Sequence, residues 1–357
     1  MRVLVRNYGC SANLSDGEVL AGCLSASGHI LVKNETDADI IIFNSCAVKG
    51  PTENRIIDDI KKTAPEKRII VTGCLPLISF ERLLRETKID AVIGPAIGEQ
   101  IVDIVKQVAY GKKIIQLENA LTAKPKLDLP HVQTNPIISI IPINYGCLGA
   151  CAYCCVRHAR GKLRSYNVDE IISRIKSDLT AGVKEFWLTS QDTASYGKDI
   201  GLDLVQLLES IVKVEGDYQI RVGMMTPNLV TPILKEMLKV FENQKIYKFL
   251  HLPAQSGDDQ VLTKMQRLYS VEEFKKIIVA FRAKFPLLTV STDIICGFPS
   301  ETDKAHRNTL NLIKEIKPDI VNVSKFFARP KTAALSMRSE FVDRNEIKNR
   351  STQMAFL

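Results

Sequence analysis

The sequence predicts an α/β protein built twice over: an N-terminal doubly wound parallel-sheet domain, then a partial (β/α)6 TIM-like barrel. Three observations predict it. Short apolar runs alternate with amphipathic helical patterns along most of the chain, the alternation restarts after a polar interruption, and 357 residues exceed what one hydrophobic core accommodates.

In the first part, strands are expected at residues 2–6, 39–44, 68–72 and 89–94, with amphipathic helices at about 15–27, 52–63, 79–87 and 97–109. This domain is assigned residues 1–123. Residues 124–136, with Lys124-Pro125-Lys126 and Leu129-Pro130-His131, form a linker. The second domain, 137–335, has strands at 137–143, 185–189, 219–224, 248–253, 289–295 and 319–325, each but the last followed by a helical pattern. Six strands make an open barrel, since closure of this type needs eight. Residues 336–357 are a helical extension.

Composition excludes several classes. Hydrophobic residues at 45%, charged residues at 25%, 19 glycines and 15 prolines rule out disordered and collagen-like chains. The formal charge of +8 favours a polyanionic partner without naming it. The start of the chain, Met1 to Arg6, turns polar too soon for a secretory leader. From Leu129 to Val156 no Asp, Glu, Lys or Arg occurs, but Pro130, Pro136, Pro142, Gly146 and Gly149 interrupt the stretch, so no membrane span is expected. Nine cysteines in a chain without a leader point to metal binding or catalysis in a reducing, cytoplasmic setting.

Cys10, Cys46 and Cys74 each follow a strand, in Tyr8-Gly9-Cys10, Asn44-Ser45-Cys46 and Thr72-Gly73-Cys74. Carboxyl ends of parallel strands share one edge, so three thiols distant in sequence are expected to converge there as a metal site. Singly, each would be read as a small buried residue. In the second domain Cys147, Cys151 and Cys154 form C-x3-C-x2-C directly after the first strand. At this cysteine frequency the two spacings arise by chance about 0.006 times per chain. Zinc is the competing metal, but a structural zinc site takes four ligands and no fourth follows at suitable spacing. Three thiolates on a four-iron cluster leave one iron open.

With Tyr153 inside it, this motif at the head of a partial barrel resembles the radical S-adenosylmethionine (SAM) enzymes. The N-terminal cysteine domain narrows the resemblance to the methylthiotransferases. It extends through Ser190-Gln191-Asp192-Thr193, Leu252-Pro253-Ala254-Gln255-Ser256-Gly257 and Thr292-Asp293-Ile294-Ile295-Cys296-Gly297-Phe298-Pro299, while Arg157-His158-Ala159-Arg160-Gly161 is similar to the archaeal and eukaryotic branch that acts on N6-threonylcarbamoyladenosine at position 37 of tRNA. The resemblance implies that Cys147, Cys151 and Cys154 hold the [4Fe-4S] cluster that binds SAM, and that Cys10, Cys46 and Cys74 hold a second, auxiliary [4Fe-4S] cluster. It implies tRNA as substrate, a sulfur donor and a reductant as partners, and radical chemistry at adenine carbon 2, where no side-chain base suffices.

Tyr153, Arg221, Gln255 and Asp293 are expected SAM contacts, being in the motif or near strand ends. Arg157, Arg160, Lys162 and Arg164, four cations with no acid among residues 155–167, are expected to meet RNA. Cys23, Cys155 and Cys296 are read as packing residues. Lys331 and Ala334 depart from a family pattern that has Gly after Pro and a Pro-Ala ending, and Ser300 replaces a common Gly. The resemblance implies a small C-terminal TRAM domain, and residues 336–357 are not expected to contain one. Two rivals remain open: a ribosomal-protein methylthiotransferase, and a non-catalytic iron–sulfur RNA-binding scaffold.

Overall fold

The structure is a computed structural model that describes residues 1–118 and 121–357. It divides into two compact units, one of residues 1–148 and 155–186, the other of residues 149–154 and 187–357.

The first unit opens with β1 (Arg2–Asn7), α1 (Ser11–Ala26), β2 (Ile30–Leu31), β3 (Ile40–Ser45), α2 (Gly50–Lys62), β4 (Arg68–Gly73), α3 (Leu75–Ile78), α4 (Phe80–Glu86), β5 (Ala91–Ile93), α5 (Ile101–Ala109) and β6 (Ile114–Gln116). The six strands form one parallel sheet in the order β2-β1-β3-β4-β5-β6. Its central strand β3, Ile-Ile-Ile-Phe-Asn-Ser, is buried at every residue, as expected where helices cover both faces. Alternation divides the core. Ile40 and Ile42 pack with Leu20, Leu24, Ile104 and Val108 from α1 and α5, whereas Ile41 and Phe43 pack with Ile56 and Ile60 from α2 and Leu75 of α3. Because β2 lies on one side of β1 and β3 on the other, the chain reverses its direction of travel between β1 and β3. Such a switch point is where open α/β sheets bind ligands.

The unit continues with β7 (Ile138–Pro142), β8 (Asn144–Tyr145), α6 (Val156–Arg160), β9 (Arg164–Ser165) and α7 (Val168–Thr180). Strands β8 and β9 pair antiparallel around the loop that bears Cys147. Ser15 of α1 donates to the Ile140 carbonyl at 3.2 Å, tying β7 to the first sheet's helix layer.

Strand β10 (Glu185–Thr189) carries the chain into the second unit, followed by α8 (Leu204–Ile211), β11 (Gln219–Val222), α9 (Pro227–Val230), α10 (Leu234–Val240), β12 (Phe249–His251), α11 (Asp259–Lys264), α12 (Val271–Lys284), β13 (Thr289–Cys296), α13 (Asp303–Ile316), β14 (Ile320–Lys325) and α14 (Arg344–Ala355). Strands β12, β13 and β14 form a parallel sheet in that order. The six expected strands of the second part thus appear in order, as β7 and β10 to β14. Capping boxes start α8 at Asp203 and α12 at Ser270, where each cap side chain accepts from the backbone N–H three residues on.

The strand expected at 248–253 ends at His251 and that at 219–224 ends at Val222, where the chain turns out of the sheet toward the strand-end loops. Strands β2, β6, β8 and β9 were not expected, since two or three residues carry no readable alternation. No helix among the described residues is long and apolar enough to cross a membrane.

Candidate functional site

In the first unit, the strand-end cysteines collect at the switch point. Cys10 follows β1 and precedes α1, Cys46 follows β3, and Cys74 follows β4 and precedes α3. A ladder of carboxamides holds the strand ends together: Asn44 donates to Asn7 Oδ1 at 2.8 Å, Asn13 donates to Asn44 Oδ1 at 2.7 Å, and Asn13 Oδ1 accepts the Gly9 N–H at 2.9 Å. Gly73 has φ +90°, and a Cβ there would stand 2.3 Å from the Ser45 carbonyl oxygen, so the approach of β4 to β3 beside Cys74 requires glycine.

Burial raises the Cys46 thiol to about 12, and the neighbouring thiols Cys74, Cys10 and Cys155 push in the same direction. Cys74 is also raised by burial, against the opposing pull of Arg160, while Cys10 and Asp16 add to the rise. The three strand-end cysteines therefore share one electrostatic neighbourhood. No group of three or more His, Cys, Asp or Glu among the described residues has the spacing to hold a metal ion. A cavity of about 690 Å³ opens beside this edge, lined by Arg6, Asn7, Tyr8, Gly9, Thr52, Arg55 and Asp59. Its cations already have acidic neighbours, Arg6 pairing with Glu35 at 2.8 Å and Arg55 standing 3.8 Å from Asp59.

The residues of the second cysteine set are divided between the two units. Cys147 lies in the first, where Gly146 adopts φ +76° and the Cys147 N–H donates to the Gly161 carbonyl at 3.2 Å. Cys151 and Cys154 lie in the second, joined by a 3.0 Å bond from the Cys154 N–H to the Cys151 carbonyl. Ala152 anchors this turn: its N–H donates to Met265 at 2.9 Å and its carbonyl accepts from Ala334 at 2.8 Å. Tyr153 packs edge-on against Phe298, with ring centroids 6.4 Å apart, and burial holds its hydroxyl well above the ordinary phenol value. Arg267 donates from Nη1 to the Cys151 sulfur at 3.1 Å.

A polar array runs over β11, β12, β13 and β14. Arg221 lies between the rings of Trp187 and Phe249, 4.7 and 4.6 Å from their centroids. His251 Nε2 stands 3.1 Å from Asp293 Oδ2, and Asn322 donates to Asp293 Oδ1 at 2.8 Å. Gln255, after β12, holds a left-handed backbone with φ 63°. Its side-chain Oε1 is buried without a hydrogen-bond partner. A strained residue with an unmet acceptor at a strand end is the kind of feature that ligands resolve.

The basic run divides. Arg157 is half-buried and Lys162 exposed. Arg160, expected at an RNA surface, is only 2% exposed; it pairs with Asp16 at 2.7 Å and stacks over Tyr145 at 5.2 Å. Arg164 is committed to the backbone, donating to the carbonyls of Leu121, Lys162, Ala123 and Arg160. Asp16, 144 positions upstream, draws the Arg160 guanidinium inward, so Arg160, unlike the expectation from the basic run, does not lie at an RNA-accessible surface. Cys23, Cys155 and Cys296 are buried, though Cys155 adjoins Cys46 electrostatically. Arg267, Tyr269 and His251 were overlooked, because nothing in their local spacing marks them.

Two family models match the chain: the uncharacterized protein family UPF0004 over residues 2–94, and the radical SAM superfamily over residues 141–313. A solved radical SAM methyltransferase, TsrM from Kitasatospora setae, superimposes with a TM-score of 0.65 over 93% of this chain and 76% of its own, at 14% identity, which is a likeness of fold. OxsB, a cobalamin-dependent radical SAM enzyme, gives 0.61 over 98% of this chain and 56% of its own at 12% identity. The radical SAM match over residues 141–313, with the cysteine motif inside it, defines a radical SAM protein.

A Pyrococcus horikoshii protein described as a probable threonylcarbamoyladenosine tRNA methylthiotransferase is 44% identical over 94% of this chain and 79% of its own length. The human threonylcarbamoyladenosine tRNA methylthiotransferase is 40% identical over 94% of this chain and 59% of its own. The chain belongs to the threonylcarbamoyladenosine tRNA methylthiotransferase family.

Proposed function

We propose that the chain adds a methylthio group to carbon 2 of N6-threonylcarbamoyladenosine at position 37 of tRNA. The observation that carries this reading beyond family membership is the gathering of Cys10, Cys46 and Cys74 at the switch point of a sheet whose chain also bears C-x3-C-x2-C. Cys147, Cys151 and Cys154 would hold the [4Fe-4S] cluster that binds SAM, and Cys10, Cys46 and Cys74 the auxiliary [4Fe-4S] cluster. The donor chemistry fits a cluster and not a single ion: soft thiols in threes suit iron–sulfur clusters, whereas no three such side chains among the described residues are spaced to share one metal ion, and burial of Cys46 among other thiols disfavours metal-free deprotonation there. When bound, these groups supply radical chemistry for an unactivated aromatic C–H.

The chain's own residues hold and orient. Gln255 would offer its unmet oxygen to an N–H or O–H donor of SAM, and Tyr153, Arg221 and Asp293 are its further proposed contacts. Burial raises the Asp192 carboxyl, which accepts the N–H groups of Ala194 and Thr226, both at 3.1 Å, and so fixes the loop after β10. Arg157 and Lys162 are the proposed tRNA contacts in the basic run. A sulfur donor and a reductant are required partners, and the cytoplasm is the proposed location, with no membrane partner.

Mass spectrometry of tRNA nucleosides from cells with and without the gene tests the substrate. Methylthio-threonylcarbamoyladenosine should appear only with the gene, and its equal abundance in both sinks the assignment. Anaerobically reconstituted protein should cleave SAM to 5′-deoxyadenosine and Cys147→Ala should not. A scaffold would cleave none.

A further inference from the structure

We propose that Arg267 is a positioning residue for the proposed ligand Cys151: its guanidinium holds the Cys151 sulfur and raises the reduction potential of what that sulfur ligates. The inference rests on the reading that Cys151 is a cluster ligand. Arg267 follows α11, and its place is set by the backbone. Gln266 takes a left-handed φ of 57°, the usual way to end a helix, and the Arg267 N–H returns to the Leu262 carbonyl at 2.9 Å. The same turn presents the Met265 carbonyl to the Ala152 N–H at 2.9 Å, so α11 and the Cys151–Cys154 turn are locked together by main chain as well as by side chain.

The guanidinium is held at both ends. Nε donates to the Tyr269 hydroxyl at 3.1 Å and Nη1 to Cys151 Sγ at 3.1 Å, while the group lies over the Tyr269 ring at 4.9 Å. Tyr269 is itself fixed, its hydroxyl donating toward the carbonyls of Pro253 and Ala254 at 3.0 and 2.9 Å. Among the described residues no carboxylate forms an ion pair with Arg267. The buried Asp192 acts on it only through space. A partly buried cation whose hydrogen bonds end on a phenol and a thiol lacks the anion that normally offsets such a charge. A thiolate that ligates an anionic cluster supplies it. Hydrogen bonds and positive charge at ligand sulfurs favour the reduced, more negative state of a cluster, and groups just beyond the ligands tune metal sites strongly.

The test is a potentiometric titration, with electron paramagnetic resonance detection, of the anaerobically reconstituted full chain carrying Cys46→Ala, which silences the first-unit site. At the parent's midpoint, Arg267→Gln should retain its iron while the reduced-to-oxidised ratio falls about tenfold, about 59 mV for one electron. Arg267→Lys keeps the charge and should stay within about threefold of the parent. If Arg267→Gln does not fold, Tyr269→Phe decides: freeing the Nε end should move the ratio at least twofold in the same direction. A ratio left unmoved by the deciding variant, or Arg267→Lys displaced as far as Arg267→Gln, overturns the proposal alone. A Cys46→Ala chain whose iron is indifferent to Cys151→Ala overturns the cluster reading and the proposal with it.

Discussion

Arg160 and Asp16 meet at 2.7 Å in a buried pair, with side chains 2% and 5% exposed and the Tyr145 hydroxyl donating to the same carboxylate. Burial pushes the Asp16 carboxyl up to about 6 against the pull of Arg160. Removing one partner of a buried pair strands the other charge, so Arg160→Ala should cost about 3–5 kcal/mol of stability. Arg157→Ala and Lys162→Ala should instead leave stability within about 0.5 kcal/mol and weaken tRNA binding, each reducing the salt slope by about 1. Urea unfolding and binding across salt concentrations check both halves. A loss below about 1 kcal/mol in Arg160→Ala would contradict a pair this buried.

Arg350 fastens α14 to the loop after β13. Its side chain, 4% exposed, reaches Glu301 at 3.0 Å, Asp303 at 2.6 Å and Glu346 at 2.8 Å, and donates to the Glu301 carbonyl at 2.7 Å. Glu301 in turn accepts the Gly297 N–H at 2.8 Å. The helix buries little apolar area besides Ile347 and Met354, so this network is its main attachment. Arg350→Leu should cost about 3–5 kcal/mol and raise amide exchange across residues 344–355 while β1 to β6 keep their protection. Unchanged exchange in α14 would show that apolar packing suffices.

Much of this architecture was legible because periodicity is a local property. The apolar run expected as a strand at 39–44 is found at Ile40–Ser45, and the repeated placement of a cysteine after a strand announced the shared edge. Strands such as β2 and β6 are too short for alternation to register. Long-range electrostatics were equally invisible: the order of residues does not reveal that Arg160 turns toward Asp16 or that Arg267 reaches Cys151, 116 positions away. The two arginines differ from Arg157 and Lys162 only in what folding brings beside them.

Acid should weaken the first unit through Asp178. Burial alone would raise this carboxyl, but His131 at 3.2 Å, Arg174 at 2.7 Å and Ser139 at 2.6 Å together hold it below the usual aspartate value. With a folded pKa below the unfolded one, its contribution is complete above the unfolded value near 4 and disappears as pH falls through the folded value. Between pH 6 and pH 3 Asp178 should therefore subtract from the urea midpoint, against the opposite trend of Asp16, whose raised carboxyl gains stability on protonation, so that Asp178→Asn should be less stable at pH 6 yet lose less on acidification than the parent. An acid decline as steep in Asp178→Asn as in the parent would remove Asp178 from the account.

Lys331 and Ser300, where the family resemblance implies glycine, both hold left-handed backbone, φ 64° and 66°. A side chain in this region costs of order 1 kcal/mol, which glycine avoids while losing more chain entropy on folding. The net effect of Lys331→Gly should be a gain of about 0.5–1 kcal/mol. Ser300→Gly should gain less, because the Ser300 hydroxyl donates to Glu340 and that bond is lost. The Ser300 N–H donates to the Glu340 carbonyl at 2.9 Å and survives the change. Thermal unfolding of the two variants distinguishes strain from side-chain bonding. If Lys331→Gly melts lower than the parent, the lysine's own contacts outweigh its backbone cost.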